Sequence, residues 1–412
     1  MTATNTQTLA KAYAQPARSR NAAMLLAGIV LIAANLRMPL TSVSPLIGLI
    51  RSDFPISGTL AGMLTTLPLL AFAGLSPFVP RLARRFGMEY TLFVALIAMV
   101  AGSLVRDAGG VSALLAGTVL TGLGIASGNV LLPAMIKKEF PRRLGLTTGI
   151  YSISMNVFAA AASAVSAPIA NGTSLGWRGT FLAVAFIGVL ALGAWIPQLR
   201  HNRTAAVTSA AAADRKQNVW RSRLAWQITL FMGLQSFIFY VFVAWLPDML
   251  LSQGMSNVES GYMLSLLQVG LMPFAFLIPI IAGRLKSQLG LLVLTCCFYL
   301  AGFAGLLAAD GNPVMTSIAV LALGVAGGTS FSLAMMFFSL RTRTAREASE
   351  ISGMAQSVGY LLAAVGPFLF GVLHDAVRNW TLPMFLLAAA ALLLLLVGTA
   401  PARGGSYLFK PE

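Results

Sequence analysis

Apolar residues recur in runs of about twenty along the whole chain, broken by short polar or basic segments. A helix rises about 1.5 Å per residue, so roughly 20 apolar residues cross the ~30 Å hydrocarbon core of a bilayer. On this pattern twelve spans are expected near 21–48, 57–80, 90–107, 111–136, 144–170, 178–198, 224–250, 258–283, 289–309, 313–340, 350–373 and 380–400. The longest polar break, 199–223, is rich in Ala, Ser and Thr as well as charge, and reads as a linker between two six-helix halves, 21–198 and 224–400. Residues 1–20 and 401–412 read as polar tails. The first of these carries Lys11, Arg18 and Arg20 and runs into a full-length span, which does not match a cleaved signal peptide.

Composition agrees with the pattern. Of 412 residues, 57% are hydrophobic and 10% charged, against about 25% charged in an ordinary soluble domain. The net charge of +16 points to nucleic acid only until its placement is read. Of the 28 Lys and Arg residues, 23 fall in alternate segments: both tails, the linker, "RLARRFGME", "KKEFPRR", "RLK" and "RTRTARE". Four (Arg51, Arg106, Arg178 and Arg378) fall on the other side, and Arg37 alone lies inside a span. The positive-inside rule then places both termini and the linker in the cytoplasm, as in a bacterial-type inner membrane. The basic segments are expected to meet anionic lipid headgroups, and no nucleic-acid partner is expected. Cys296 and Cys297 are adjacent in one apolar run, a spacing that fits no zinc site and no disulfide framework. No cofactor is expected, and a monomer is.

The halves resemble each other. "PRLARRFG" (80–87) matches "GRLKSQLG" (283–290) at an offset of 203, Pro45 matches Pro247 at 202, and "GLG" (122–124) falls against "GVA" (324–326) at 202. A same-orientation repeat implies a pseudo-two-fold axis along the membrane normal, with any substrate site between the halves near the midplane.

Five stretches carry a resemblance to a known family: "NLRMPLTSVSPL" (35–46), "LTTLPLLAFAGLSPFVPRLARRFGME" (64–89), "GNVLLPAMIKKEFP" (128–141), "WLPDML" (245–250) and "SGMAQSVGYLLAAVGP" (352–367). On these the chain resembles the major facilitator superfamily, and within it the cyanate/2-nitroimidazole transporter family. The segments 64–89 and 352–367 are the closer to the 2-nitroimidazole exporter branch. The resemblance implies an all-α membrane protein, twelve helices in two pseudo-symmetric bundles, working as a secondary transporter by alternating access. Two departures matter. The superfamily's loop between spans two and three carries an Asp where this chain has Arg84, and its second copy has Ser287 there. Proton-coupled drug antiporters carry an arginine in span four where this chain has Thr118.

Arg37 is the residue that most needs an explanation. A charge at bilayer depth costs at least ~2.5 kcal/mol. All twelve Asp and Glu residues sit in loops, tails or span ends, so no intramembrane carboxylate is in sight. Guanidinium is a planar fork of five donors, suited to a small planar anion or nitro group. Arg37, Thr41 and Ser44 follow helical spacing on one face of span one. The repeat offset puts Tyr240, or its neighbour Phe239, opposite Arg37 in span seven, whose aromatics are interrupted by Gln235. Span eleven adds Gln356 and Tyr360, and span four adds Asn129, which fold analogy favours over Asn156 and Gln268. The expected substrate residues are therefore Arg37, Thr41, Asn129, Gln235, Tyr240, Gln356 and Tyr360. Against each stands a purely structural role as glue between helices.

A membrane enzyme is not expected, because the spans lack the convergent acids, bases or metal ligands that chemistry needs. The alternatives are a proton-coupled drug exporter of the same superfamily and a sensor of the same fold without flux.

Overall fold

The computed structural model describes residues 21–54, 58–202, 218–405 and 407–408. The expected tail 1–20, most of the linker and most of the C-terminal tail lie outside these. Twelve spanning elements run through the described residues: α1 (Ala22–Thr41), α2 (Gly58–Leu75), α3 (Met88–Val105), α4 (Gly110–Glu139), α5 (Leu144–Gly172), α6 (Trp177–Trp195), α7 (Arg223–Ser252), α8 (Asn257–Arg284), α9 (Leu289–Ala309), α10 (Pro313–Leu340), α11 (Ala345–Val377) and α12 (Thr381–Ala402). No strand occurs among the described residues.

Two spans depart from the expected pattern. The hydropathy pattern carries the first to residue 48, but α1 stops at Thr41 and the chain resumes, after a 3-10 turn at Ser44–Leu46, as a short helix Ile47–Asp53. Ser44 therefore leaves the helical face it would share with Arg37 and Thr41. The second span breaks after Leu75 and bends by 57° into a short helix, Val79–Phe86. Pro45 opens the 3-10 turn and Pro80 the short helix, each in a first turn, where a missing backbone N–H costs nothing.

The helix pairings repeat. In the first half α1 packs on α5 and α6, and α4 on α2 and α3; in the second α7 packs on α11 and α12, and α10 on α8 and α9. Each pairing recurs six helices later, as the sequence repeat implies. The halves meet through α5 against α8 and through α11 against α2 and α4.

These contacts form a seam toward the face that holds the start of α1, the linker ends and the end of α12, here the terminal face. A Cβ on Gly149 of α5 would lie 2.6 Å from the Phe276 carbonyl oxygen of α8, and one on Gly353 of α11 would lie 2.7 Å from the Ser76 carbonyl oxygen. Only glycine allows so close an approach. Lys137 at the end of α4 donates to the Ser339 carbonyl (2.5 Å) and to the Thr342 hydroxyl (2.7 Å) and carbonyl, closing the C-terminal end of α10. Arg84 pairs with Glu350 of α11 at 2.7 Å, so the position occupied by Asp in the wider superfamily carries an ion pair of opposite polarity. Ser357 donates to the Ala73 carbonyl at 2.6 Å.

The loop count puts Arg106 on the distal side, outside the spans, but it is 1% exposed. Its Nη1 donates to the Pro39 carbonyl (2.8 Å) and its Nε to the Thr118 hydroxyl (3.1 Å), while its guanidinium faces the Phe181 ring at 5.3 Å. It thus takes up a carbonyl left free where α1 ends. Glu89, at the start of α3 as expected, is also buried, with Lys138 3.3 Å away.

Two variants test these contacts. Arg106→Ala leaves the Pro39 carbonyl unpaired and opens a void, and should cost about 2–4 kcal/mol, read as a lower thermal unfolding midpoint in detergent. Gly149→Val should hold the terminal seam apart; in a background without Cys296 and Cys297, a cysteine replacing buried Ser352 should then label faster than with Gly149 intact.

Candidate substrate site

Arg37 lies near the distal end of α1, after a run of mostly buried apolar or small positions. Its neighbours Leu36, Met38 and Pro39 are buried in the first half, which turns the long guanidinium stem toward the second. There it enters a cavity lined by Asn156 of α5, Gln235, Ser236, Phe239 and Tyr240 of α7, Leu271 of α8, Gly327 and Phe331 of α10, and Tyr360 of α11. Both halves therefore contribute. The cavity is narrow: space for the centres of water molecules is about 20 Å³, room for one or two.

The guanidinium stands 5.8 Å over the Phe331 ring, a cation–π distance. Among the described residues it has no hydrogen bond and no ion pair to protein. The two amide groups around it are already engaged. The Gln235 amide donates to the Met232 carbonyl (3.1 Å) and the Ser236 hydroxyl (2.6 Å), and the Asn156 amide donates to the Ser152 carbonyl (2.8 Å). Tyr360 packs edge-on against Phe72 at 5.0 Å and Tyr240 against Phe239 at 5.4 Å, so the aromatic walls are held by packing across and along helices.

Of the seven expected residues, Arg37, Gln235, Tyr240 and Tyr360 line this cavity. Thr41 faces elsewhere: its hydroxyl lies 3.0 Å from the Ala159 carbonyl of α5 and 3.2 Å from the Arg37 carbonyl, joining α1 to α5. Asn129 and Gln356 are both buried at the seam, where the Gln356 amide reaches the Asn129 carbonyl at 3.5 Å. The Gln356 Oε1 is buried with no donor among the described residues.

Sequence reasoning misses Phe331 and Ser236, and it favours Asn129 over Asn156, which does line the cavity. A signal for Phe331 is present. The repeat offset of 202 that matches "GLG" with "GVA" also carries Asn129 onto Phe331, so the second-half partner of a favoured position is the ring over Arg37.

Comparison with known proteins bears on the family and the fold. The Major Facilitator Superfamily profile matches residues 25–367. The chain is 44% identical to the uncharacterized transporter YycB of Bacillus subtilis over 94% of its own length and 95% of that protein's. It is 40% identical to the 2-nitroimidazole transporter of Escherichia coli over 93% and 96%, and 27% identical to the cyanate transport protein CynX of Escherichia coli over 91% and 97%. The order of these last two follows the branch that segments 64–89 and 352–367 favour. In fold the chain is similar to the proton:xylose symporter XylE bound to a bromo-deoxyglucose, with a TM-score of 0.73 over 93% of this chain and 96% of that one at 13% identity. The chain belongs to the Major Facilitator Superfamily, with cyanate and 2-nitroimidazole transporters among its relatives, and is a multi-pass secondary transporter rather than an enzyme.

Proposed function

We propose that this transporter moves a small planar anion or nitro-aromatic, cyanate-like or 2-nitroimidazole-like, by alternating access, with Arg37 as the group that holds it. One observation carries the reading: a guanidinium with no hydrogen bond or ion pair to protein among the described residues, inside a cavity lined by both halves. A fork of N–H donors without acceptors is a site for a ligand with acceptors. The rings of Phe331, Phe239, Tyr240 and Tyr360 give a flat ligand apolar walls. The relatives named for 2-nitroimidazole and cyanate transport point to the same chemistry.

The narrow cavity fits a ligand of few atoms, and a nitro-aromatic enters only when the halves or the rings part. The seam around Gly149 and Gly353 is closed at the terminal face, which the distribution of Lys and Arg assigns to the cytoplasm. The alternate state opens that seam and closes the distal end. Among the described residues no carboxylate lines the cavity, and this reading routes no proton through it. An anion leaving the cytoplasm is driven by the potential alone, about 2.3 kcal/mol per charge per 100 mV.

Purified protein should show a thermal shift with cyanate or 2-nitroimidazole. Arg37→Ala should weaken binding about 10- to 100-fold, the worth of hydrogen bonds to a charged group. Arg37→Lys keeps the charge and loses the fork, and should fall between. Normal binding in Arg37→Ala sinks the proposal. Thr41→Val is the contrasting case: its stability should fall by about 0.6 kcal/mol, a typical interhelical bond, with binding within about twofold of wild type.

A further inference from the structure

A second cavity lies away from Arg37, at the terminal face, and is built as a basic cleft. Arg81, Arg84 and Pro80 of the first half face Trp220 and Arg221 at the end of the linker and Arg346 and Glu350 of the second half, around a space of about 590 Å³. Four arginines stand against one glutamate. Glu350 is shared by Arg84 at 2.7 Å and Arg346 at 3.2 Å, which leaves Arg81 and Arg221 without an ion pair among the described residues. Arg81 rests only over the Phe78 ring, at 5.8 Å. The volume suits a ligand group of ordinary size.

The cleft's depth in the membrane can be read from its neighbours. Trp220 and Trp226 pack edge-on at 6.1 Å, and each is about two-fifths exposed (41% and 39%). The Trp226 indole donates to the Trp220 carbonyl at 2.8 Å. Exposed tryptophans mark the headgroup level of a bilayer. Guanidinium forks from several directions, around a carboxylate that is already shared, match a phosphate oxyanion.

We propose that this cleft is a second anion site, for a phosphate group, and that the group bridges the two halves. The bridge runs from Arg81 and Arg84 to Arg221 and Arg346, beside the ion pair that already joins the halves here. A ligand that holds both sides binds the closed terminal face better than the open one, and so shifts the protein toward it. The phosphate comes from an anionic lipid headgroup or from a soluble phosphate compound, and the site is independent of what Arg37 binds.

The test uses full-length protein in dodecyl maltoside micelles, which carry no phosphate, followed by thermal unfolding, with phosphatidylglycerol titrated in one arm and inorganic pyrophosphate in the other. Stabilisation by phosphatidylglycerol alone assigns a lipid; stabilisation by pyrophosphate assigns a soluble phosphate; both outcomes support the site. The surface double variant Arg81→Gln/Arg221→Gln should require roughly 30-fold more ligand for the same shift, from ~1 kcal/mol per basic residue near an anionic surface. Arg284→Gln, an exposed arginine on α8 outside the cleft, should respond like wild type. No stabilisation in either arm, an unchanged response in the double variant, or an equal loss in Arg284→Gln overturns the proposal.

Discussion

The structure turns on one positive charge that protein does not neutralise. No described carboxylate, hydroxyl or carbonyl takes the N–H groups of Arg37. Two unit charges 4 Å apart attract by about 1 kcal/mol in water and about 4 kcal/mol at an effective dielectric of 20. An anion that leaves water for this cavity therefore meets a stronger partner than any surface arginine. The rings of Phe331, Tyr240 and Tyr360 sharpen the effect, since they exclude water without supplying a competing negative charge. The empty state is tolerable because the cavity retains a little room, which water can fill.

The same residue type does the opposite work elsewhere in the first half. Arg106 is more deeply buried than Arg37, yet its guanidinium is held by the Pro39 carbonyl, the Thr118 hydroxyl and the Phe181 ring. It also meets the span-four position where drug antiporters carry an arginine of their own, so the positive charge reaches Thr118 from the end of α3 instead. Burial alone does not separate a structural arginine from a ligand-binding one. At Arg106 Nη1 and Nε are already occupied, although the buried Nη2 has no partner among the described residues, whereas at Arg37 no N–H is taken. On the proposed reading a substrate meets N–H groups of Arg37 that no described protein group takes, whereas at Arg106 it would have to displace a backbone carbonyl at the end of α1.

How much of this is legible in the sequence depends on the range of each interaction. The spans are legible because membrane crossing is a local property of about twenty residues, and the helix pairing is legible because the repeat survives at 202–203 residues. The end of α1 is not. It depends on a carbonyl capped by Arg106, 67 positions away, and no pattern around Thr41 announces that contact. Tyr240 is reached from Arg37 through the offset, and Phe331 can be reached from Asn129 in the same way. Asn129 and Gln356 show the limit of polarity as a signal. A buried amide must bond something, and at the α4–α11 seam the partner is another helix. The sequence states the need but does not say which partner meets it.

That seam and the Arg37 cavity are parts of one mechanical object. Tyr360 lines the cavity while Ser357, one turn earlier on α11, donates to the Ala73 carbonyl of α2, and Glu350, two turns further, pairs with Arg84. Phe72, beside Ala73, packs on Tyr360 itself. A shift of α11 against α2 therefore cannot open the terminal face without moving the ring that walls the substrate cavity. Protein interiors are packed too densely to bend smoothly, so such a shift passes between discrete arrangements. On the proposed reading, occupancy of the cavity and closure of the seam are tied through this one helix.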